Sequence, residues 1–345
     1  MEKILPKKSF LEWMKRLAAY DIFAPALQDE IWNYELVRSP AAIDMNFLLP
    51  VVPPKKIIFP QVETLFEFRT SESGMPEIRD ILPESKPAVI FGVRPCDARA
   101  FIFLDAVFDG DFKDVYYFQR RNQTVLVGLM CVTPPSSGCF CLSVGGAPHS
   151  RDGLDILMTD MGETYFIEAA TEKGNKLFES AKHLFKEPKT LDIQELKNIK
   201  SESEKKIARQ IKNIENVSEK LKKMFDSPFW DEESRSCLKC GICTYLCPTC
   251  HCFDMNDEVE SPFPLKGKRV RTWDTCQFPD FTMHTSGHNP RPDKAARLRQ
   301  RIMHKFQYFV ENYQRYLCTG CGRCITKCPV GIDIVDILNK VETHG

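Results

Sequence analysis

Eight cysteines fall into two copies of one pattern, Cys237-Leu-Lys-Cys240-Gly-Ile-Cys243-Thr-Tyr-Leu-Cys247-Pro248 and Cys318-Thr-Gly-Cys321-Gly-Arg-Cys324-Ile-Thr-Lys-Cys328-Pro329. Each copy reads C-x2-C-x2-C-x3-C-P. Such short spacings let a loop wrap three thiolates round one face of an iron–sulfur cube, while the fourth cysteine opens a helix pointing away. In two-cluster arrangements the fourth cysteine of each run ligates the other cluster. The expected sets are therefore Cys237, Cys240, Cys243 and Cys328 for one [4Fe–4S], and Cys318, Cys321, Cys324 and Cys247 for the second. Structural zinc takes two separated cysteine pairs and has no use for a third cysteine at the same spacing, twice over. Disulfides belong to oxidising compartments. The N-terminal stretch MEKILPKKSFLEW has no apolar run of signal-peptide length, so the reading is a cytoplasmic chain whose cysteines serve metal or redox chemistry.

Of the fifteen cysteines, Cys96, Cys131, Cys139, Cys141, Cys250, Cys252 and Cys276 lie outside the two runs. Ala88-Val-Ile-Phe-Gly-Val93 has the composition of a buried parallel strand, Arg94-Pro-Cys-Asp97 makes the turn, and Asp97 can N-cap a following helix that carries Phe101, Ile102, Ala106 and Phe108. Thr124-Val-Leu-Val-Gly-Leu-Met130 reads as a second strand. Strand, crossover helix and strand form a βαβ unit that delivers Cys96 and Cys131 to the carboxyl edge of a parallel sheet, where α/β folds place ligands. The loop Pro134-Pro-Ser-Ser-Gly-Cys139-Phe-Cys141 supplies two more thiols nearby. Cys96, Cys131, Cys139 and Cys141 are thus compatible with a third [4Fe–4S] cluster. Zinc and simple burial of four small apolar residues are the competing readings.

Between the runs, Cys250-His-Cys252 and Trp273-Asp-Thr-Cys276 place three further thiols near His251, His284 or His288, a candidate extra metal site whose alternative is plain packing. A basic segment from Lys294 to Phe306, with Arg297, Arg299, Arg301 and Lys305, follows. Four-thiolate clusters are anionic and nearby cations raise their potential, so these charges serve either a cluster or a solvated face.

The elements that must position these residues are unevenly legible. Ser9 and Glu12 form a capping-box pair ahead of Phe10, Trp13, Met14 and Leu17 at helical spacing, predicting a helix near 10–20. Residues 21–87 read as short strands and turns broken by prolines, 155–170 as a hairpin, and 177–185 as part of a helix. Ile207, Ile211, Ile214, Val217, Leu221 and Met224 recur at steps of three and four in a Lys/Glu-rich stretch, which predicts one amphipathic helix between domains. The expected organisation is an α/β (α+β) domain with a short parallel sheet over 1–190, a charged helical linker over 191–230, and a mainly helical, two-cluster ferredoxin-like domain over 231–345 with an insertion at 253–317.

Lys+Arg and Asp+Glu balance at 47 each, which gives no electrostatic case for nucleic acid. No stretch approaches the roughly 18 apolar residues of a membrane span. No G-x-G-x-x-G or G-x-x-x-x-G-K-[ST] loop appears, so no FAD or NAD site is expected.

Phe91-Gly-Val-Arg-Pro-Cys96-Asp97, the Cys139-Phe-Cys141 loop, Cys-Pro-Thr-Cys250-His-Cys252-Phe, Trp273-Asp-Thr-Cys276, His304-Lys-Phe and the last cysteine run together resemble the 4Fe–4S dicluster family. That family includes beta subunits of soluble cytoplasmic hydrogenases (sulfhydrogenases) and the iron–sulfur subunit of anaerobic sulfite reductase. The resemblance spans most of the chain. It implies an iron–sulfur electron-transfer subunit without a catalytic centre of its own, relaying between a flavin-containing reductase subunit, linked to a nicotinamide or ferredoxin, and a catalytic subunit. Hydrogenase or sulfur-reductase type is the leading expectation. The iron–sulfur subunit of an anaerobic sulfite reductase, or a self-sufficient reductase with substrate at an open-coordination cluster, are the alternatives.

Overall fold

The computed structural model describes residues 1–83 and 86–344. Its N-terminal half is built on a sheet of seven strands, β1 (Glu2–Pro6), β2 (Asp21–Gln28), β3 (Ile31–Leu36), β6 (Ala88–Val93), β7 (Thr124–Leu129), β8 (Ile156–Asp160) and β9 (Thr164–Ala169), in the order β1-β9-β8-β7-β6-β2-β3. β2, β6, β7 and β8 run parallel, and the outer pairs are antiparallel. The sheet is therefore mixed and longer than the short parallel one expected. Alternation on the central strands explains its two covered faces. Val89 and Phe91 of β6 and Val125 and Val127 of β7 pack with Phe10 and Trp13 on one side, while Ile90 and Leu126 pack with Phe101 and Leu104 on the other.

The first helix, Phe10–Arg16, matches its apolar spacing, but Ser9 makes no side-chain cap, so the capping box does not form. The helix after β6, Pro95–Phe108, starts two residues before Asp97, with Arg94 as its N-cap. Asp97 therefore lies in the first turn instead of capping it. Its carboxylate is taken by a partner remote in sequence: Arg323 Nη1 and Nη2 donate to its two oxygens at 2.6 and 2.8 Å, and Arg323 Nε donates to the Pro50 carbonyl at 2.9 Å.

A second sheet, absent from the sequence reading, joins the two halves. Its strands are β4 (Val62–Thr70), β5 (Pro76–Asp80), β10 (Phe253–Pro262) and β11 (Leu265–Trp273), in the order β10-β11-β4-β5, all antiparallel. The start of the inter-run insertion is thus a β-hairpin that pairs with an N-terminal strand, an element not expected in a C-terminal part whose remaining elements are helical. Trp273 anchors it, stacking on Phe59 at 5.8 Å and donating its indole N–H to the Phe59 carbonyl at 3.1 Å.

The expected single amphipathic helix is two. Helix Thr190–Lys205 lies along the first sheet, placing Leu196 against Ile4 and Phe166, and helix Ile214–Lys223 places Val217 and Leu221 in the C-terminal core with Trp230, Phe306 and Leu338. Between them the chain leaves helical geometry, and Asn213 adopts a left-handed conformation with φ of 45°. Tertiary contacts override the spacing there: Ile207 packs on Cys139 and Cys141, the Ile211 N–H donates to Ser143 Oγ at 2.9 Å, and the Lys212 N–H donates to Asn339 Oδ1 at 2.8 Å. Among the described residues no helix is long and apolar enough to cross a membrane.

Asp97 and Arg323 are 0 % and 2 % exposed at their side chains, so removing one strands a buried charge. Asp97→Asn should destabilise the anaerobic protein by ~3–5 kcal/mol, and Asp97→Leu combined with Arg323→Met should recover much of the loss. Chemical denaturation of the three proteins measures this. Equal stability of Asp97→Asn and wild type would show the pair to be unimportant.

Candidate metal centres

The two runs fold into tight loops followed by single-turn helices, Ile242–Tyr245 and Arg323–Thr326. Glycine is required where the second loop meets the N-terminal half. Gly322 has φ of 76°, and a Cβ there would stand 2.4 Å from the Gly138 backbone; one on Gly320, at φ of 67°, would stand 2.5 Å from the Cys141 backbone.

Cys237, Cys240, Cys243 and Cys328 line one cavity, walled by Gln277, Leu298, Arg301, Ile302, Cys324, Ile334 and Ile337. Cys247, Cys318, Cys321 and Cys324 line a second, with Phe140, Arg301, Lys305, Thr319 and Ile334. The crossed sets read from spacing are therefore brought together, Cys328 beside the first run and Cys247 beside the second. Cys96, Cys131, Cys139 and Cys141 line a third cavity, flanked by Pro95, Pro135, Pro148, Ile207, Gly320 and Cys321. Cys96 sits in the first turn of a 14-residue helix, where the helix dipole favours negative charge.

The electrostatics of these cavities fit clusters. Burial pushes Cys318, Cys139 and Cys141 up to about 12 and Cys321 to about 11, and raises Cys96 well above the usual thiol value, reinforced by Asp97. Buried thiolates need positive charge close by, and the irons of a cube supply it. Donors already stand at the sulfurs. The Lys239 N–H donates to Cys237 Sγ at 3.5 Å and the Ile332 N–H to Cys328 Sγ at 3.2 Å. Lys305 Nζ donates to Cys247 Sγ at 3.4 Å, Thr249 Oγ1 at 2.9 Å and the Leu317 carbonyl at 3.0 Å. A single π-turn, His304–Tyr308, carries Lys305 inward. Two buried polar atoms on the cavity walls, Arg301 Nη2 and Thr319 Oγ1, have no protein partner, which suits a wall facing cluster sulfur.

The remaining thiols divide between two neighbours. Cys250 lies against Cys247, with Arg301 Nη1 3.7 Å from its sulfur and Lys55 Nζ 2.6 Å from its carbonyl. Cys252 and Cys276 hydrogen-bond each other, which lowers the Cys276 thiol to about 6. Burial lowers His251 to about 4; it contacts the Thr249 carbonyl at 3.0 Å and packs edge-on to His304, while His284 and His288 pair with one another in an exposed loop. Lys55 is buried over the Trp273 ring at 4.2 Å, and burial lowers it to about 8. Sequence reading missed Lys55, Gln277 and Arg323 as members of this environment. Only Arg323, set between two ligand-spaced cysteines, carried a local signal.

Residues 236–332 match the family model of the 4Fe-4S dicluster domain. Over its length the chain is also similar to sulfhydrogenase 2 subunit beta of Pyrococcus furiosus, at 28% identity across 343 residues, 98% of this chain and 97% of that protein. No solved structure matches the chain. Phe306, inside the matched region, shares one apolar core with Cys318 and with Trp230 and Leu338 from either side of it, and Trp230 donates its indole N–H to the Met224 carbonyl at 2.7 Å.

Crossed ligation has a spectroscopic consequence. Cys328→Ala should remove the same EPR signal as Cys237→Ala, and Cys247→Ala the same signal as Cys318→Ala, each variant losing about four irons per chain. If Cys328→Ala instead behaves like Cys318→Ala, the crossed assignment is wrong.

Proposed function

We propose that the chain is an iron–sulfur electron relay of a hydrogenase-type complex and holds three [4Fe–4S] clusters in one row. The observation that carries this reading is the contiguity of the three cysteine-lined cavities. Arg301, Cys324 and Ile334 line both the first and second cavities. Cys321 of the second set also lines the third cavity, and Phe140, between Cys139 and Cys141, lines the second. The Phe140 N–H donates to the Gly320 carbonyl at 2.9 Å, so one stretch of backbone wall separates the second and third sites.

Clusters bound there supply one-electron storage, and the chain's own residues set the conditions for transfer. Aliphatic side chains wall the inner side of the first site, Lys305 donates to a ligand sulfur of the second, and Ile207 and three prolines flank the third. One end of the row reaches the surface at Leu238, Lys239 and Cys240, with Leu238 60% exposed, which makes this edge the electron port to a neighbouring protein. The full-length similarity to a sulfhydrogenase beta subunit supports a place in a multi-subunit hydrogenase-type complex, and the flavin-containing reductase and catalytic subunits implied by the resemblance of the cysteine motifs are the partners we propose.

Anaerobically purified protein should contain about 12 irons per chain and Cys96→Ala about 8, from the composition of the cluster type. A wild-type value near 8, unchanged in Cys96→Ala, would remove the third cluster. The chain by itself should reduce neither protons nor sulfite, and robust turnover of either by the purified chain would overturn the relay reading.

A further inference from the structure

Five arginines are buried among the described residues, and two of them, Arg94 and Arg297, donate to backbone carbonyls. Arg323 is matched by Asp97, and Arg271 by Glu63 and Asp114. Arg301, only 5% exposed, has no carboxylate partner among the described residues: the charges that favour its protonated form are Cys243, Cys324, Cys250 and Cys247. Cys243 belongs to the first ligand set, and Cys324 and Cys247 to the second. Arg301 Nη1 reaches Cys250 Sγ at 3.7 Å, and Nη2 is buried without any protein acceptor. The guanidinium stands in the wall common to the two cavities, where its fork of donors can face both. Neighbouring polar groups are more local, since Gln277 lines only the first cavity and Lys305 only the second.

We propose that Arg301 is a shared counter-ion and hydrogen-bond donor of the two ferredoxin-type clusters, raising both potentials and coupling one to the other. The inference rests on the cluster assignment above and deepens it. A buried guanidinium cannot lose its proton at neutral pH, so its charge must be balanced where it lies. Anionic cluster sulfur is the acceptor on either side. An electron added to either cluster increases the negative charge beside the guanidinium, so a cation there favours the reduced form. Because one group serves both sites, the field that each cluster feels depends on the other's charge, and the same cation offsets their mutual repulsion.

EPR-monitored redox titration of the anaerobic full-length chain tests this, after iron and sulfide analysis has established that clusters are present. Arg301→Met should move both ferredoxin-type midpoint potentials to more negative values and leave the third cluster's potential in place. Lys305→Met should move only the second. Arg301→Lys keeps the charge on a single head that cannot face both cavities, so the two shifts should become unequal. Arg301→Met that keeps its iron yet leaves either potential unmoved overturns the proposal, as does Lys305→Met that shifts both clusters equally. Should Arg301→Met fail to hold its clusters, the wild-type protein labelled with 15N in its arginine guanidino groups decides. Pulsed EPR should then find 15N coupling on both reduced clusters that is lost in Arg301→Lys, and coupling on one alone, or coupling retained in Arg301→Lys, overturns it. A wild-type chain lacking two cubes would defeat the cluster assignment itself, a different outcome from unmoved potentials on intact clusters.

Discussion

The buried ion pair between Asp97 and Arg323 is the constraint on which the arrangement of sites depends. Arg323 sits between two ligand-spaced cysteines of the second run, and Asp97 follows Cys96 at the edge of the seven-stranded sheet. Two charges withdrawn from water must meet each other with good geometry, because either alone would carry the cost of an unpaired buried ion. That demand fixes the second run against the sheet edge. It also turns Asp97 from a helix cap into half of a clamp, and brings Gly320 and Gly322 so close to the Gly138–Cys141 loop that no side chain fits between them.

Around this clamp the molecule manages an unusual amount of negative charge in its interior. Burial, reinforced by neighbouring acidic groups, pushes the thiols of Cys96, Cys139, Cys141 and Cys318 up, so their ionisation needs positive charge close by. The chain answers with cations that are themselves buried: Lys305 at Cys247, Lys55 at the Cys250 carbonyl, and Arg301 at the Cys250 sulfur. Each of these would be a liability in an apolar core and becomes favourable only when sulfur-bound metal completes the balance. The binding of metal and the cohesion of the C-terminal core are therefore expressions of the same electrostatics.

How much of this was legible in the sequence depends on the range of the interactions. The ligand runs are local chemistry, with spacing that dictates a loop round a cube, and the structure brings Cys237, Cys240, Cys243 and Cys328 to one cavity and Cys247, Cys318, Cys321 and Cys324 to another. Ala88–Val93 and the strand at Thr124 were equally readable from composition, and with them the convergence of Cys96 and Cys131. The four-stranded sheet was not readable, because β4 and β11 pair across the whole N-terminal fold and neither shows a clean alternation. The break between the helices ending at Lys205 and starting at Ile214 was hidden for a related reason: Ile207 and Ile211 keep helical spacing, yet each is claimed by a different tertiary contact. Arg301 and Lys305 were visible as part of a basic segment, but only burial distinguishes a counter-ion from a wet face.

The interleaved sheet also bears on how the chain is made. β4 ends at Thr70 and its partner β11 begins at Leu265, so at roughly 5–20 residues per second the ribosome needs about 10–40 s to supply the second after the first. Throughout that interval the edge of β4 is an unpaired template, carrying Val62 beside the open hairpin with Ile78. The crossed ligand sets are also incomplete until Cys324 and Cys328 of the second run emerge. Assembly of either ferredoxin-type site thus waits for the second run, and protection of an early strand edge falls to whatever meets the nascent chain first.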